Sequence, residues 1–123
     1  MNDIKCTGIS VVSIWTDKML ETIEFYKTTL KLQVCDCNSY HMKPIHFIVG
    51  NSFLVLLNGK MEVKERGDTF PLIAIDVNDI DETCNYLERN NIEILQGLQE
   101  DNSSRWTFCK DPGGNLVELV VWK

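Results

Sequence analysis

Lys18-Met19-Leu20-Glu21-Thr22-Ile23-Glu24-Phe25-Tyr26 has a second version in this chain, Asp79-Ile80-Asp81-Glu82-Thr83-Cys84-Asn85-Tyr86-Leu87. The two stretches start at 18 and 79, an offset of 61 residues, half of the 123-residue chain. Glu21-Thr22 and Glu82-Thr83 are identical, and Phe25 matches Tyr86 in kind. Upstream, Val12 and Ile14 fall on Ile73 and Ile75. An internal repeat at half the chain length means two copies of one folding unit.

Each copy has the same order of elements. In the first, Ile9 to Trp15 is β-branched and alternating, which predicts a strand. Met19, Ile23, Tyr26 and Leu30 recur at helical spacing, so a helix is expected from about Lys18 to Leu30, capped by Thr16-Asp17. Strands follow at Leu32 to Cys37, Pro44 to Val49 and Ser52 to Leu57, with Gly50-Asn51 turning the last two into a hairpin. In the second copy, a strand at Leu72 to Val77 precedes a helix from Asp79 to Asn90 with acids in its first turn. Ile92 to Leu95 is expected as a strand, Gln96 to Ser103 as a loop and Ser104 to Lys110 as a strand. The predicted architecture is βαβββ twice, an α+β fold with the helices packed on one face of curved, mixed sheets. The modules span 1–58 and 70–123, joined by the polar linker 59–69.

The chain closes with Lys110-Asp111-Pro112-Gly113-Gly114-Asn115 between two β-rich runs. Proline presets φ, aspartate bonds back to the turn backbone, and glycine and asparagine tolerate positive φ. The run that follows carries one carboxylate, Glu118, among apolar neighbours. A carboxylate inside a buried strand is costly unless something pairs with it, so Glu118 is the first candidate functional residue.

Composition narrows the classes. Hydrophobic residues at 44% and charged residues at 24% are those of an ordinary globular domain. No apolar run approaches the roughly 20 residues that cross a bilayer. The net charge of −6 and the scattered basic residues argue against nucleic acid. The N-terminal Met-Asn-Asp-Ile-Lys-Cys lacks the plan of a secretory signal, which predicts a cytoplasmic protein. Five cysteines without C-x-x-C spacing are then expected as reduced thiols.

Phe25-Tyr26-Lys27-Thr28-Thr29-Leu30-Lys31-Leu32 resembles the F-Y-x-x-x-L-G-L helix end of the vicinal oxygen chelate superfamily, with Lys31 at the usual glycine. Lys110 to Leu119 resembles that superfamily's D-P-x-G-N-x-x-E-L terminal hairpin, and the duplicated plan is similar too. The group includes glyoxalase I, fosfomycin and bleomycin resistance proteins, extradiol dioxygenases and methylmalonyl-CoA epimerase. The resemblance implies a cup with a divalent metal at its floor, held by residues of the first, fourth, fifth and eighth strands. Carried over position by position, the eighth-strand ligand is Glu118. The first-strand position is Val11 (Ser10 in a register one residue off), and the fifth-strand position is Leu72. The fourth strand, Ser52 to Leu57, contains no His, Glu, Asp, Gln or Cys. A catalytic metal site needs about three protein ligands, so no metal is expected at the family position. His46 and Glu118 are the weak metal candidates that remain; His41 is expected in a solvated loop. Cys35-Asp36-Cys37 puts two thiols on one strand face without a nearby third ligand.

Period two places Val11, Ser13 and Trp15 on the cup face, with Leu72, Ala74 and Asp76 in the second copy and Leu116, Glu118 and Val120 on the last strand. Three tryptophans, Trp15, Trp106 and Trp122, offer rigid surfaces for a flat ligand. The expected function is binding of a small, partly aromatic molecule in a metal-free cup by Ser13, Trp15, His46, Trp106 and Glu118. Arg105 and His46 are the internal groups able to satisfy Glu118. The alternatives are a divalent-metal lyase, isomerase or extradiol-type dioxygenase with an altered ligand set, and a metal-free enzyme with Glu118 as its catalytic base. The expected partner is a second copy of the chain, since a short duplicated protein leaves strand edges to cover.

Overall fold

A computed structural model of the protein describes residues 4–7, 9–35, 45–59 and 72–123. The first module comprises β1 (Val11–Thr16), α1 (Met19–Glu24) continued by a π turn (Phe25–Thr29), β2 (Gln33–Cys35), β3 (Ile45–Val49) and β4 (Ser52–Asn58). The second comprises β5 (Ile73–Asp76), α2 (Ile80–Arg89), β6 (Ile94–Glu100), β7 (Ser104–Lys110) and β8 (Leu116–Trp122). The linker expected at 59–69 falls, beyond Gly59, outside the described residues.

Each module is a four-stranded sheet, ordered β1-β4-β3-β2 and β5-β8-β7-β6. In both, the last strand sits between the first and third, parallel to one and antiparallel to the other. A parallel pair needs a crossover, which the helix supplies. The registers coincide as well: Val12 and Ser13 face Leu54 and Val55, while Ile73 and Ala74 face Val117 and Glu118. The offset of 61 in sequence is therefore a repeat of the same pairing geometry.

One face of both sheets packs beneath the helices. Its core joins Ile14, Leu54, Leu56 and Phe47 of the first module to Ile75, Val117, Leu119 and Leu87 of the second. All but Leu87, which lies on α2, are alternate strand residues, as period two requires. Thr16 lies on the same side: its hydroxyl is 2.8 Å from that of Thr22 on α1 and accepts the Lys18 N–H at 3.0 Å. The expected cap is thus made by Thr16 from two residues away, with Lys18 at the cap position itself. α2 starts conventionally, with the Asp79 carboxylate accepting the Glu82 N–H.

The helices end differently. α2 closes with Asn91 at φ 59, Asn91 N–H to Glu88 O and Ile92 N–H to Leu87 O, the paired bonds of a Schellman motif. The first helix closes with Lys31 at φ 60, but Leu30 N–H reaches back five residues to Phe25 O at 2.8 Å and Leu32 N–H six to Tyr26 O. The repeat offset is 61 up to Tyr26 and Leu87, then 60 at Lys31 and Asn91. The π turn is one inserted residue, absorbed without moving the left-handed stop. The φ of 60 at Lys31 shows why a glycine is usual at this position: the stop requires positive φ.

Two expectations are corrected. Gln96 to Glu100 is strand rather than loop: β6 runs on through a bulge between Leu95 and Gln99, where Gln96 and Gly97 take φ 62 and 67. Those two residues imitate a turn in sequence because a bulge uses the same left-handed backbone. Cys35 is disulfide-bonded rather than reduced, while Cys6, Cys84 and Cys109 are free.

Candidate functional site

The face opposite the helices collects the candidate residues. In the first sheet, Cys35, His46, Val55 and Ser13 form one row across β2, β3, β4 and β1. In the second, Leu95, Phe108, Glu118 and Ala74 form the equivalent row across β6, β7, β8 and β5. A neighbouring row sets Trp106 and Val120 beside Asp76. Val55 and Val120 are buried, each 3% exposed, yet neither belongs to the core beneath the helices. This face therefore has an apolar floor of its own.

Its polar and aromatic residues differ in exposure. Ser13 and Asp76 are exposed; Trp15, Trp106 and Glu118 are half-buried. His46 is 2% exposed and meets Phe53 edge-on at 6.2 Å between ring centres. Ser13 and His46 thus flank Val55 in one sheet, and Trp106 and Glu118 share the other. Trp122, 65% exposed, stands at the end of β8. His41 lies outside the described residues. A separate cavity of about 280 Å³, walled by Phe25, Ile92, Leu95, Lys110 and Pro112, contains none of the candidates.

The acids of the second module divide by face. On the helix side, Asp81 pairs with Arg105 at 3.1 Å, and Glu100 takes Arg105 at 3.1 Å and Lys123 at 2.9 Å. Hydrogen bonds from Arg105 hold the Asp81 carboxyl below its ordinary range, and those from Lys123 do the same for Glu100. Arg105 is thereby committed away from Glu118, because residue 105 alternates to the opposite face from residue 106. Among the described residues no donor reaches the Glu118 or Asp76 carboxylate. Period two already put Asp76 on this face. Its closeness to Glu118 follows from the β5–β8 pairing, which no local pattern reveals.

The donor set does not fit a divalent metal. Val11 and Leu72 have no lone pair to give, and Val55 is the β4 residue in the register of Glu118. Among the described residues no three His, Cys, Asp or Glu side chains converge closely enough to hold an ion. No chemical step is therefore derived through a metal.

The terminal hairpin motif has a structural role. Asp111, 4% exposed, accepts the Tyr26 hydroxyl at 2.8 Å and the Asn115 N–H at 2.8 Å. The Asn115 side-chain amide donates to the same carboxylate at 3.0 Å and to the Trp15 carbonyl at 2.9 Å. A Cβ on Gly113 would lie 2.5 Å from the Thr16 hydroxyl, so only glycine fits there. The helix-end motif and the hairpin motif are thus two halves of one contact between modules. Burial and then the Asp111 charge raise the Tyr26 pKa far above its ordinary value. Burial raises the Cys109 thiol to about 11.

The family model of the Glyoxalase/Bleomycin resistance protein/Dioxygenase superfamily matches residues 8–119. A glyoxalase/dioxygenase from Nostoc punctiforme superposes with a TM-score of 0.80 at 19% identity, covering 100% of this chain and 99% of that one. A lactoylglutathione lyase from Agrobacterium tumefaciens gives 0.71 at 16% identity, covering 94% and 93%. An integron cassette protein from the mobile metagenome of V. cholerae gives 0.72 at 15%, covering 97% and 98%. Such identities establish a shared fold and nothing about substrate. A search of curated proteins finds no match.

Proposed function

The chain belongs to the Glyoxalase/Bleomycin resistance protein/Dioxygenase superfamily, and from that premise we propose that it binds a small, partly aromatic molecule on the sheet face opposite the helices, without a metal. The observation that carries this reading is the composition of that face. Apolar side chains occupy the family's other ligand positions, while Glu118 stands half-buried with no donor among the described residues, near half-buried Trp106. An apolar surface with one anchoring charge and rigid aromatic walls is the usual design of a small-molecule site. Glu118 takes a cationic or hydrogen-bond-donating group; Trp15 or Trp106 stacks on the flat part. Ser13 and His46 line the other half.

Metal analysis of purified protein followed by a ligand screen through thermal shift tests the reading. The expected outcome is no stoichiometric metal, and a bound ligand whose affinity falls about 30-fold or more in Glu118→Gln. Metal that survives dialysis and is lost in Glu118→Ala returns the protein to the metal-dependent lyase, isomerase or dioxygenase class. Affinity unchanged in Glu118→Gln, Trp15→Leu and Trp106→Leu alike removes this face from consideration.

A further inference from the structure

We infer that Asn115 is a positioning residue for Trp15, so that the turn of the second module sets the aromatic wall of the first; the inference rests on the reading of Trp15 as a stacking surface. Trp15 is the penultimate residue of β1, and its carbonyl points to the strand edge away from β4. The opposite edge is the hydrogen-bonded one, as Gly59 N–H to Thr16 O at 2.8 Å and Phe53 N–H to Ser10 O at 3.2 Å show. A lone carbonyl at the end of a sheet edge leaves the backbone free to twist, and the indole would swing with it. The Asn115 amide takes that carbonyl at 2.9 Å.

Asn115 is itself fixed. Its N–H bonds Asp111 Oδ1 and its side-chain amide bonds Asp111 Oδ2, the oxygen that also accepts from the buried Tyr26 hydroxyl. The chain of bonds therefore runs from the π turn, through Asp111 and Asn115, to the backbone beneath the indole. Close packing completes the restraint. Thr16 is packed tightly against Gly113, its hydroxyl 2.5 Å from where a Cβ there would stand. The backbone beneath the ring is thus tethered and closely packed. A pre-ordered aromatic surface binds without first losing rotamer freedom, which is what a stacking wall requires. Trp106, in the middle of a doubly paired strand, needs no such tether.

The experiment is fluorine NMR of fluorotryptophan-labelled protein, together with titration of the flat cationic dye DAPI. The three tryptophans give three lines, and Trp15→Leu identifies one of them. In Asn115→Ala the Trp15 line should shift and broaden while those of Trp106 and Trp122 stay. Tyr26→Phe, which removes only the far end of the chain of bonds, should move the same line by less. DAPI affinity should fall roughly threefold to tenfold in Asn115→Ala, as in Trp15→Leu, with no further loss in the double variant. The inference is overturned by an unmoved Trp15 line in both variants, by three lines moving together, or by losses that add. If Trp15→Leu weakens DAPI and Asn115→Ala does not, the positioning role alone falls. DAPI that does not bind, or binds regardless of Trp15→Leu, sinks the stacking reading and this inference with it.

Discussion

The two modules share a topology, a register and most of a core, and differ by one residue in the helix. The second ends α2 with regular bonds and Leu87 at its inner position; the first inserts a residue and has Tyr26 there instead. Both side chains are fully buried. Only Tyr26 has a hydroxyl, and it reaches across to Asp111 in the other module's turn. The return contact is of a different kind: the Tyr86 hydroxyl, at the position matching Phe25, bonds the Thr29 carbonyl inside the π turn. A duplicated fold has thus become a directional one, in which the first module's helix holds the second module's hairpin. The rows on the face opposite the helices diverge in the same way, with Val55 in one and Glu118 in the other.

Making the modules alike should be costly. Tyr26→Leu copies the second module's residue into the first, deletes the bond to Asp111 and opens a void. A loss of about 3 kcal/mol in urea unfolding is expected. A loss below about 1 kcal/mol would mean that the contact between modules does not depend on the phenol.

Alkali should find the same asymmetry. Tyr26 and Cys109 are both raised by burial, and their counterparts Leu87 and Phe47 do not titrate. Below about pH 8 both groups are protonated folded and unfolded, so their full contribution is present. As pH climbs, the unfolded chain releases protons that the folded chain keeps, and unfolding gains. Melting temperature should therefore hold at neutral pH and fall from about pH 8 upward, and Tyr26→Phe should flatten the fall above about pH 10. A curve of the same shape in that variant would place the sensitivity elsewhere.

Smallest of the three is the helix stop. Lys31→Gly relieves left-handed strain but gives up the Lys31 ammonium over the Tyr86 ring, 5.2 Å from its centre. The net gain should be about 0.5 kcal/mol, and a matching gain is expected at Asn91→Gly only if strain dominates.

How far these features were legible in the sequence follows from what each depends on. Alternation along Val11 to Trp15 and Leu116 to Val120 assigned the two faces, because period two is a property of a single strand. The repeat declared the modules. The π turn was hidden, since an ungapped comparison ends before the insertion registers. β6 was misjudged because Gln96-Gly97 has turn chemistry within a strand. Arg105 is one of the internal groups that composition allows to satisfy Glu118, and only the β7–β8 register shows it facing away. The Asp-Pro-Gly-Gly-Asn motif drew attention to the hairpin correctly. Its purpose, to hold Tyr26 and the edge of β1, needed the tertiary structure.

The bulge in β6 also governs what this protein can do in a crowded solution. β6 is the outer strand of its sheet, and an outer strand with a straight row of open carbonyls recruits other chains. Here the Gly97 carbonyl is taken inward by the Thr107 hydroxyl at 3.0 Å, and the Gln96 carbonyl by the Gln99 side chain. Gln96 and Gly97 also turn the backbone out of the extended line that a foreign strand would need to follow. Growth of the sheet past β6 is opposed at the level of single carbonyls.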